Sequence, residues 1–305
     1  MPELPDLDAY LHALRQRILA KPLLEIRLKS PFLLRSVTPP LEDFRGRRVK
    51  AVDRIGKRLV FAFPDDYFLV LHLMVLGRLH WKAPGAPLSQ KNTLASFDFS
   101  DGSLQLTESG TKKRASLHAV AGVSGLEGFR RGGIEPLEAT AAAFREALTR
   151  ENHTLKRCLT DPRLFSGIGN AYSDEILHRA RLSPLTLSQK LDADAIETLR
   201  AATQETLSGW RDRLVAEAEG EFPEKVTAFR PEMAVHGRYG LPCPVCATPV
   251  QRIRYADNET NYCPNCQTGG RLLADRALSR LLKQDWPRSL EEMEGFWTGA
   301  REIKP

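Results

Sequence analysis

The hydrophobic pattern changes its period twice along this chain, from helical to strand-like and back to helical. From Pro5 to about Leu19, apolar residues recur at helical spacing and predict a short amphipathic helix. Between about Leu23 and Val120, short apolar runs alternate with breaks that contain Gly, Pro or Asp. Closely spaced short strands of this kind predict an antiparallel sandwich or barrel. The predicted strands are Leu24–Leu28, Arg48–Asp53, Arg58–Phe63, Tyr67–Met74, Leu94–Phe99 and Ser103–Thr107.

Helical periodicity returns after the turn-rich segment 133–137. A short cysteine-bearing module follows Pro223, and a further helix is predicted from about Arg271 to Lys283. The pattern therefore switches from β to α along the chain. The other predicted helices are at about Thr140–Thr149, Thr154–Leu159, Asn170–Ala180 and Asp192–Glu219.

The expected fold class is α+β with several domains. We place a β-sandwich domain with an N-terminal helix at residues 1–132 and a helical domain at residues 133–225. Residues 226–305 would then form a cysteine-bearing module with a C-terminal helical extension.

The composition is that of an ordinary globular protein with a basic balance. A net charge of +6 and a pI near 9.1 suit a polyanionic partner, although proteins that bind no nucleic acid also reach such values. No apolar run is long enough to span a membrane, and no secretory signal begins the chain. We therefore expect an intracellular protein, in which five cysteines indicate metal binding or free thiols rather than disulfides.

Four of those cysteines have the spacing of a metal site. Cys243 and Cys246 form one Cys-x2-Cys pair, and Cys263 and Cys266 form a second pair after sixteen intervening residues. This spacing predicts one tetrahedral Zn²⁺ with no vacant position, which is a structural site. The alternative is four unrelated thiols. Cys158 lies outside the set, in a predicted helix.

The first residues offer a nucleophile. If Met1 is removed, Pro2 presents a secondary amine, and an α-amino group titrates about two to three pH units below a lysine. Such an amine can form a Schiff base, and the Glu3 carboxyl group is tethered within reach for acid–base work. The alternative is structural, because Pro5 followed by Asp6 also suits the first turn of a helix.

Other segments carry weaker signals. The Gly-x-Gly segment 166–172, with Lys156 upstream and Asn170 as a cap, is either a phosphate clamp or a tight turn between helices. Lys57 precedes a predicted strand, where it could be a solvated charge. The basic run Lys112-Lys113-Arg114 would ordinarily be a solvated face. His72 and Met74 lie in an apolar run typical of a core.

Taken together, these segments closely resemble the formamidopyrimidine-DNA glycosylase/endonuclease VIII family of base-excision repair enzymes. The resemblance runs through most of the chain. It includes Pro2-Glu3-Leu4-Pro5, Gly56-Lys57, His72-Leu73, Ser166–Asn170, Gly237–Cys243 and the two cysteine pairs.

The resemblance implies a β-sandwich catalytic domain, a helix–two-turns–helix DNA-binding domain and a C-terminal four-cysteine zinc finger, with DNA in the cleft between them. By position it makes Pro2 the Schiff-base nucleophile, Glu3 the proton donor, and Lys57 a phosphate contact that assists elimination. Asn170 and Lys156 match contacts to the DNA backbone.

The function implied is that of a DNA glycosylase (a hydrolase) with AP lyase activity, acting on damaged, oxidised bases. Damaged DNA is the expected partner and one structural Zn²⁺ the expected metal, with no small-molecule cofactor and no membrane association. We expect a monomer in the bacterial cytoplasm, associated with the nucleoid. The alternative is a non-catalytic or AP-site-restricted DNA-structure-binding protein on the same scaffold.

Four departures from the family pattern indicate a divergent subfamily. Asn258 stands where the family's finger has an arginine, so that Arg252 or Arg254 would have to replace it. The arginine–phenylalanine loop is replaced by residues 110–114 with their basic run. His-Leu-Gly-Met-Ser-Gly becomes His72-Leu-Met-Val-Leu-Gly77, which leaves Met74–Leu76 as an apolar wedge. The chain also continues past the last cysteine with Trp286 and Trp297.

Overall fold

The structure is a computed structural model, and it describes residues 1–255, 258–274, 280–283 and 286–293. The chain forms two compact units. Residues 1–133 and 207–228 make up the first, and residues 134–206 together with those from 229 onward make up the second. None of the helices described is both long and apolar enough to cross a membrane.

The first element is helix α1, Leu4–Ile18, which lies within one residue of its predicted bounds. The predicted apolar stripe is buried, with Leu7, Leu14 and Ile18 fully inside the core. At its start, Asp6 Oδ2 accepts a hydrogen bond from the Glu3 backbone N–H at 2.9 Å. A carboxylate in the first turn accepts a hydrogen bond from a backbone N–H, and its negative charge is stabilised by the positive end of the helix dipole. The helix therefore begins at a fixed point directly after Glu3.

Eight strands form two antiparallel sheets in the first unit, so the predicted β-sandwich is confirmed. Two of the strands, β5 and β8, were not predicted from the sequence. The first sheet has the order β1-β6-β7-β5 (Glu25–Leu28, Thr93–Phe99, Gly102–Glu108, Gly77–Lys82). The second has the order β2-β3-β4-β8 (Ala51–Ile55, Arg58–Phe63, Tyr67–His72, Ser116–Ala121).

The apolar faces of the two sheets and of α1 share one core. Phe61 of β3 and Phe97 of β6 lie with nearly parallel rings at 6.2 Å between centroids. The segment after the long helix of the chain returns to this core, where Val226 is buried and Phe222 lies 5.7 Å from the ring of Tyr10. Because burial of large apolar side chains is the main favourable term in folding, this core fixes both the strands and α1.

The second unit is helical and carries a small β-hairpin. Its helices α2 (Ala141–Thr149), α3 (Leu155–Thr160), α4 (Asn170–Arg179) and α5 (Ala193–Glu217) match the predicted ones closely, and α5 continues into the first unit. The hairpin consists of β9 (Gln251–Tyr255) and β10 (Asn258–Tyr262), and the short helix α6 (Pro264–Thr268) follows.

The helix predicted at Arg271–Lys283 is only partly described. Residues 271–274 are not helical, residues 280–282 are helical, and residues 275–279 lie outside the described residues. Trp297 also lies outside them. The predicted helix therefore does not begin at Arg271.

Glu175, a buried acidic residue of α4, binds the backbone of a distant segment of the second unit. Glu175 accepts three backbone N–H groups, from Ala234 at 2.7 Å and from Val235 and His236 at 2.9 Å. Burial raises the pKa of Glu175, and these three donors oppose the rise. The carboxyl group thereby holds the segment that leads into the cysteine module against α4.

We predict that Glu175→Gln destabilises the second unit by about 2–3 kcal/mol, because an amide NH₂ would then face backbone N–H donors without an acceptor. Urea denaturation at constant pH measures the change. Glu138→Gln, at an exposed position, is the matched control and should change stability by less than about 0.5 kcal/mol. Equal stabilities for the two variants would contradict the structural role of Glu175.

Candidate active site and metal centre

The start of the chain is partly enclosed. Pro2 and Glu3 are buried, although Met1 keeps 37% of its surface exposed. Burial lowers the pKa of the Met1 amine, and the charges of Arg78 and Lys57 lower it further. Glu3 and Asp6 act in the opposite direction. The structure thus places Glu3 and Lys57 within electrostatic reach of the terminal amine.

An amine with a lowered pKa has a larger unprotonated fraction near neutral pH, and only that form is a nucleophile. A carboxyl group beside it can donate or accept a proton. A nearby ammonium favours an anion such as phosphate. The first unit therefore places the Met1 amine, the Glu3 carboxyl group and the Lys57 ammonium within electrostatic reach of one another.

Arg78 belongs to these surroundings and was not among the residues predicted from the sequence. It lies on β5, where its Nη1 donates hydrogen bonds to the carbonyl oxygens of Val75 at 3.0 Å and Gly77 at 2.7 Å. Arg78 thus holds the turn that precedes β5 while its charge acts on the terminal amine. The alternation of Leu79 and Trp81 with polar residues was the available sign of this strand.

The turn between β4 and β5 presents apolar side chains. Met74 has a left-handed backbone with φ of 55°, at the place where the family pattern has glycine. Val75 and Leu76 are exposed to 49% and 39%. Residues 74–76 therefore form a turn at the surface, with Val75 at the position of the family's methionine, and their role as an apolar wedge stays a prediction.

The loop that replaces the arginine–phenylalanine loop lies beside this turn. A Cβ atom on Gly110 would approach Leu76 Cδ1 to 2.8 Å. The loop is held by buried Glu108, whose carboxylate accepts the backbone N–H of Arg114 at 2.9 Å and of Ala115 at 3.1 Å. Of the predicted basic run, Lys113 donates to the Glu108 carbonyl oxygen, and Lys112 and Arg114 are exposed.

His72, at the end of β4, lies among cations. Burial lowers its pKa to about 4, and the charges of Arg58, Lys57 and His118 contribute. Arg58 is paired directly across from His72 in the sheet. A neutral histidine in such a place can donate a hydrogen bond without adding to the crowded positive charge.

Lys156 and Asn170, which the resemblance predicts to contact DNA, form hydrogen bonds with other segments of the protein. Lys156 Nζ lies 2.5 Å from Asp174 Oδ1 and donates to the Asn170 carbonyl oxygen at 2.7 Å. Asn170 Nδ2 donates to the Glu259 carbonyl oxygen at 2.6 Å. Their roles on DNA stay predictions, and in this structure both side chains connect protein segments.

Arg252 and Arg254, on β9, share one carboxylate. Each lies 3.4 Å from Glu259 Oε2, and Glu259 is the cross-strand partner of Arg254. The Arg252 guanidinium also lies 4.1 Å from the ring centroid of Tyr239, whereas Arg254 is 62% exposed. Arg254 is thus the more accessible of the two arginines to a ligand. Asn258 begins β10.

The four cysteines of the two pairs form one cluster. Their Sγ atoms all lie within 4.8 Å of one another, and three of the separations are 3.4, 3.5 and 3.9 Å. Four sulfurs at about 2.3 Å from a tetrahedral Zn²⁺ would be about 3.8 Å apart. The cluster therefore fits Zn²⁺, and four thiolates leave no position for a substrate. Cys243, Cys246, Cys263 and Cys266 are thus a structural zinc site.

A histidine of α4 supports this site. His178 Nε2 lies 3.2 Å from Cys243 Sγ. A hydrogen bond from outside the ligand set fixes the orientation of a thiolate and tunes its charge. Cys158 lies apart from the cluster and is buried against the Leu148 and His153 carbonyl oxygens, as predicted for a helix residue.

We predict that the purified chain carries one zinc ion and that Cys263→Ser loses it, together with the fold of the module. Zinc binding in such modules supplies about 10–16 kcal/mol of folding free energy. Metal analysis gives the stoichiometry, and limited proteolysis within residues 229–274 reports the loss of structure. Cys158→Ala is the matched control and keeps its zinc. Zinc retained by Cys263→Ser would refute the four-cysteine site.

We also predict that His72 makes the free energy of unfolding decrease as the pH falls from 6.5 to 4. The unfolded chain binds a proton at this residue near pH 6.5, whereas the folded chain does so only at about 4. The folded state therefore loses up to about 3 kcal/mol across this window.

Urea denaturation of wild type and His72→Gln at several pH values measures this effect. The variant should show a shallower decline, since other groups contribute equally to both proteins. His12→Gln removes a histidine of α1 outside the cationic cluster and is the control. Parallel curves for wild type and His72→Gln would contradict the prediction.

Three family models match successive parts of the chain. The formamidopyrimidine-DNA glycosylase N-terminal domain matches residues 1–115, and the formamidopyrimidine-DNA glycosylase H2TH domain matches residues 133–209. The zinc finger found in FPG and IleRS matches residues 240–269. These matches cover seven of the eight strands of the β-sandwich, the helical region with α2 to α4, and the four cysteines.

Individual proteins give the same result. A formamidopyrimidine-DNA glycosylase of Exiguobacterium sibiricum is 31% identical over 282 residues, which covers 88% of this chain and 99% of that protein. An uncharacterized formamidopyrimidine-DNA glycosylase-like protein of Mycobacterium tuberculosis is 41% identical over 152 residues, or 50% of this chain and 94% of that protein.

Solved structures of the Lactococcus lactis formamidopyrimidine-DNA glycosylase share the fold. One, non-covalently bound to DNA containing an AP site, has a TM-score of 0.76 at 25% identity and covers 87% of this chain and 99% of that chain. Another, with N7-benzyl-Fapy-dG DNA, has a TM-score of 0.78 at 25% identity and covers 88% of this chain and 100% of that chain. This chain therefore belongs to the formamidopyrimidine-DNA glycosylase family of zinc-finger DNA repair proteins.

Proposed function

We propose that this chain is a base-excision-repair DNA glycosylase with AP lyase activity on damaged, oxidised bases. The observation that carries the proposal is the enclosed start of the chain, where Pro2 and Glu3 are buried and where burial, Arg78 and Lys57 lower the pKa of the Met1 amine. Removal of Met1 would make Pro2 the nucleophile. Relatives named as glycosylases, and a neighbour bound to AP-site DNA, support the same reading.

The proposed reaction has two parts. The unprotonated Pro2 amine attacks C1′ of the damaged nucleotide while Glu3 delivers a proton to the sugar, so that the bond to the base breaks and the base leaves. The amine proton passes to the departing base, the C1′–O4′ bond breaks as O4′ takes the proton from Glu3, and the nitrogen lone pair then forms a positively charged Schiff base with C1′. Its positive charge acidifies the 2′ hydrogen, and removal of that proton expels the 3′ phosphate by β-elimination. Lys57 binds phosphate during this step.

The damaged nucleotide has to leave the helical stack, which costs a few kcal/mol. We propose that Val75 and Leu76 enter the space that it vacates, because they form an exposed apolar turn before β5. The exposed Lys112 and Arg114 lie on the adjoining loop, where they would bind the DNA backbone. Lys113 completes this basic run.

In the second unit we propose Lys156 and Asn170 as further DNA-backbone contacts, as the family pattern implies. Arg254, exposed on β9, would serve in place of the finger arginine that is Asn258 here, with Arg252 beside it. Without that arginine at its usual position, we expect β-elimination to be the main lyase step.

The wider organisation is part of the proposal. Residues 1–132 would be the catalytic domain, residues 133–225 the helix–two-turns–helix domain, and residues 226–305 the zinc finger with its extension. The protein would act as a monomer on damaged DNA in the bacterial cytoplasm, without a small-molecule cofactor.

We predict that borohydride traps the wild-type chain on an oligonucleotide containing an abasic site, as a covalent product of about the combined mass. Glu3→Gln should lower the trapping rate at least 100-fold, since general acid catalysis contributes about 10²–10⁴. Pro2→Gly should be impaired, because it removes the secondary amine. Intact-mass spectrometry of each sample verifies that Met1 is absent.

Two matched variants control for disturbance of the helix start. Pro5→Ala changes the neighbouring proline, and Asp8→Asn removes a nearby carboxylate that is paired with Arg54. Both should trap DNA as wild type does. If a chain that begins with Pro2 gives no trapped product, the glycosylase proposal is wrong. Salt-dependent binding without strand scission would then identify the alternative, a DNA-structure-binding protein.

A further inference from the structure

An open cavity of about 810 Å³ lies in the second unit, and none of its lining residues is assigned to the chemistry. It is formed mainly by residues that follow the zinc-finger match, which ends at residue 269. The lining residues are Leu185, Arg271, Leu272, Leu273, Ala274, Lys283, Trp286 and Arg288.

Hydrogen bonds attach the wall of this cavity to the zinc hairpin. Leu273 N donates to Tyr262 Oη at 2.8 Å, and Tyr262 is buried at the end of β10. Leu272 N donates to the Arg288 carbonyl oxygen at 2.9 Å, which closes the segment on itself. The described part of the extension is therefore joined to the module and forms part of the cavity wall.

The lining has the chemistry of a site for an anion that carries a flat apolar group. Arg271, Lys283 and Arg288 are exposed cations, and the lining contains no carboxylate among the residues that the structure describes. The three cations would together bind phosphate oxygens, and Trp286 offers an aromatic surface.

We propose that this cavity binds a phosphorylated nucleotide, with its base against Trp286 and the leucines and its phosphate among the three cations. Cavities of about 300–1,000 Å³ suit ligands of this size. Stacking of bases on aromatic side chains tolerates any base and combines with cationic contacts to the backbone. The ligand is either a free mononucleotide or an unpaired nucleotide of a DNA strand, which have this chemistry in common.

The first experiment uses dAMP and isothermal titration calorimetry with the full-length, zinc-loaded chain. Wild type should bind dAMP at one site, and deoxyadenosine at least tenfold more weakly. The double variant Lys283→Ala/Arg288→Ala should lose at least tenfold in affinity for dAMP. Trp286→Ala removes the aromatic surface on which the base would stack, and should lose at least fivefold.

The second experiment tests a DNA strand as the source. Two duplexes with the same abasic-site analogue are compared, one blunt and one with a single-stranded 3′ overhang, by fluorescence anisotropy. The overhang should raise the affinity of wild type at least fivefold and leave that of the double variant unchanged. The control Lys50→Ala/Lys190→Ala removes two exposed lysines elsewhere and should behave as wild type in both experiments.

A dAMP affinity that falls in the double variant identifies a free-nucleotide site, and an overhang effect that disappears identifies a strand site. Unaltered zinc content and thermal unfolding show that the variants are folded. If wild type and the double variant match in both experiments, the proposal is wrong. The outcome is independent of the proposed chemistry, because no variant touches Pro2, Glu3 or Lys57.

Discussion

Burial of α1 in the core of the first unit is the constraint on which the proposed chemistry depends. Leu4, Leu7, Tyr10 and Leu14 are fully buried, so the helix cannot shift without exposing them. Tyr10 also accepts a hydrogen bond from the Leu79 N–H at 3.3 Å. Because Leu79 follows Arg78, α1 and β5 hold the terminal amine and its cationic neighbour in register. A nucleophile on a mobile terminus would lose this orientation, which is worth much of a reaction barrier.

In the second unit, one face of α4 holds the cysteine module in place. Asn170, Asp174 and His178 are spaced four residues apart and so lie on the same side of the helix. Each reaches the cysteine module, through the Glu259 carbonyl oxygen at 2.6 Å, Asn261 Nδ2 at 3.2 Å and Cys243 Sγ at 3.2 Å. Buried Asp174 is paired in addition with Lys156 and His236. Since an unpaired buried carboxylate is costly, the helix and the module depend on each other.

The sequence predicted those features whose signal lies within a few neighbouring residues. The helices have strong 3.6-residue periods, and the zinc ligands have a spacing that few other sites share. The strands β5 and β8 were missed because charged, small or polar residues occupy most of their positions. Arg78 was missed with β5. Asp174 contacts His236 and Asn261, which are 62 and 87 positions further along the chain. A local sequence pattern cannot predict contacts between residues so far apart in sequence.

At the turn before β5 this chain departs from the family pattern, and nearby hydrogen bonds hold the turn in place. Glycine would adopt the left-handed conformation there at no cost, whereas Met74, with φ of 55°, loses about 1–2 kcal/mol. Three contacts offset that strain: the Gly77 N–H to the Leu73 carbonyl oxygen at 2.9 Å, and the two hydrogen bonds from Arg78. A Cβ on Gly77 would lie 2.2 Å from the Leu73 carbonyl oxygen, so this glycine cannot be replaced. These contacts fix the backbone of the turn, and Val75 and Leu76 are the side chains that it exposes. Under the proposed function, a difference in lesion preference from other members would therefore arise at Val75, Leu76 and the adjoining basic loop rather than at the terminal amine.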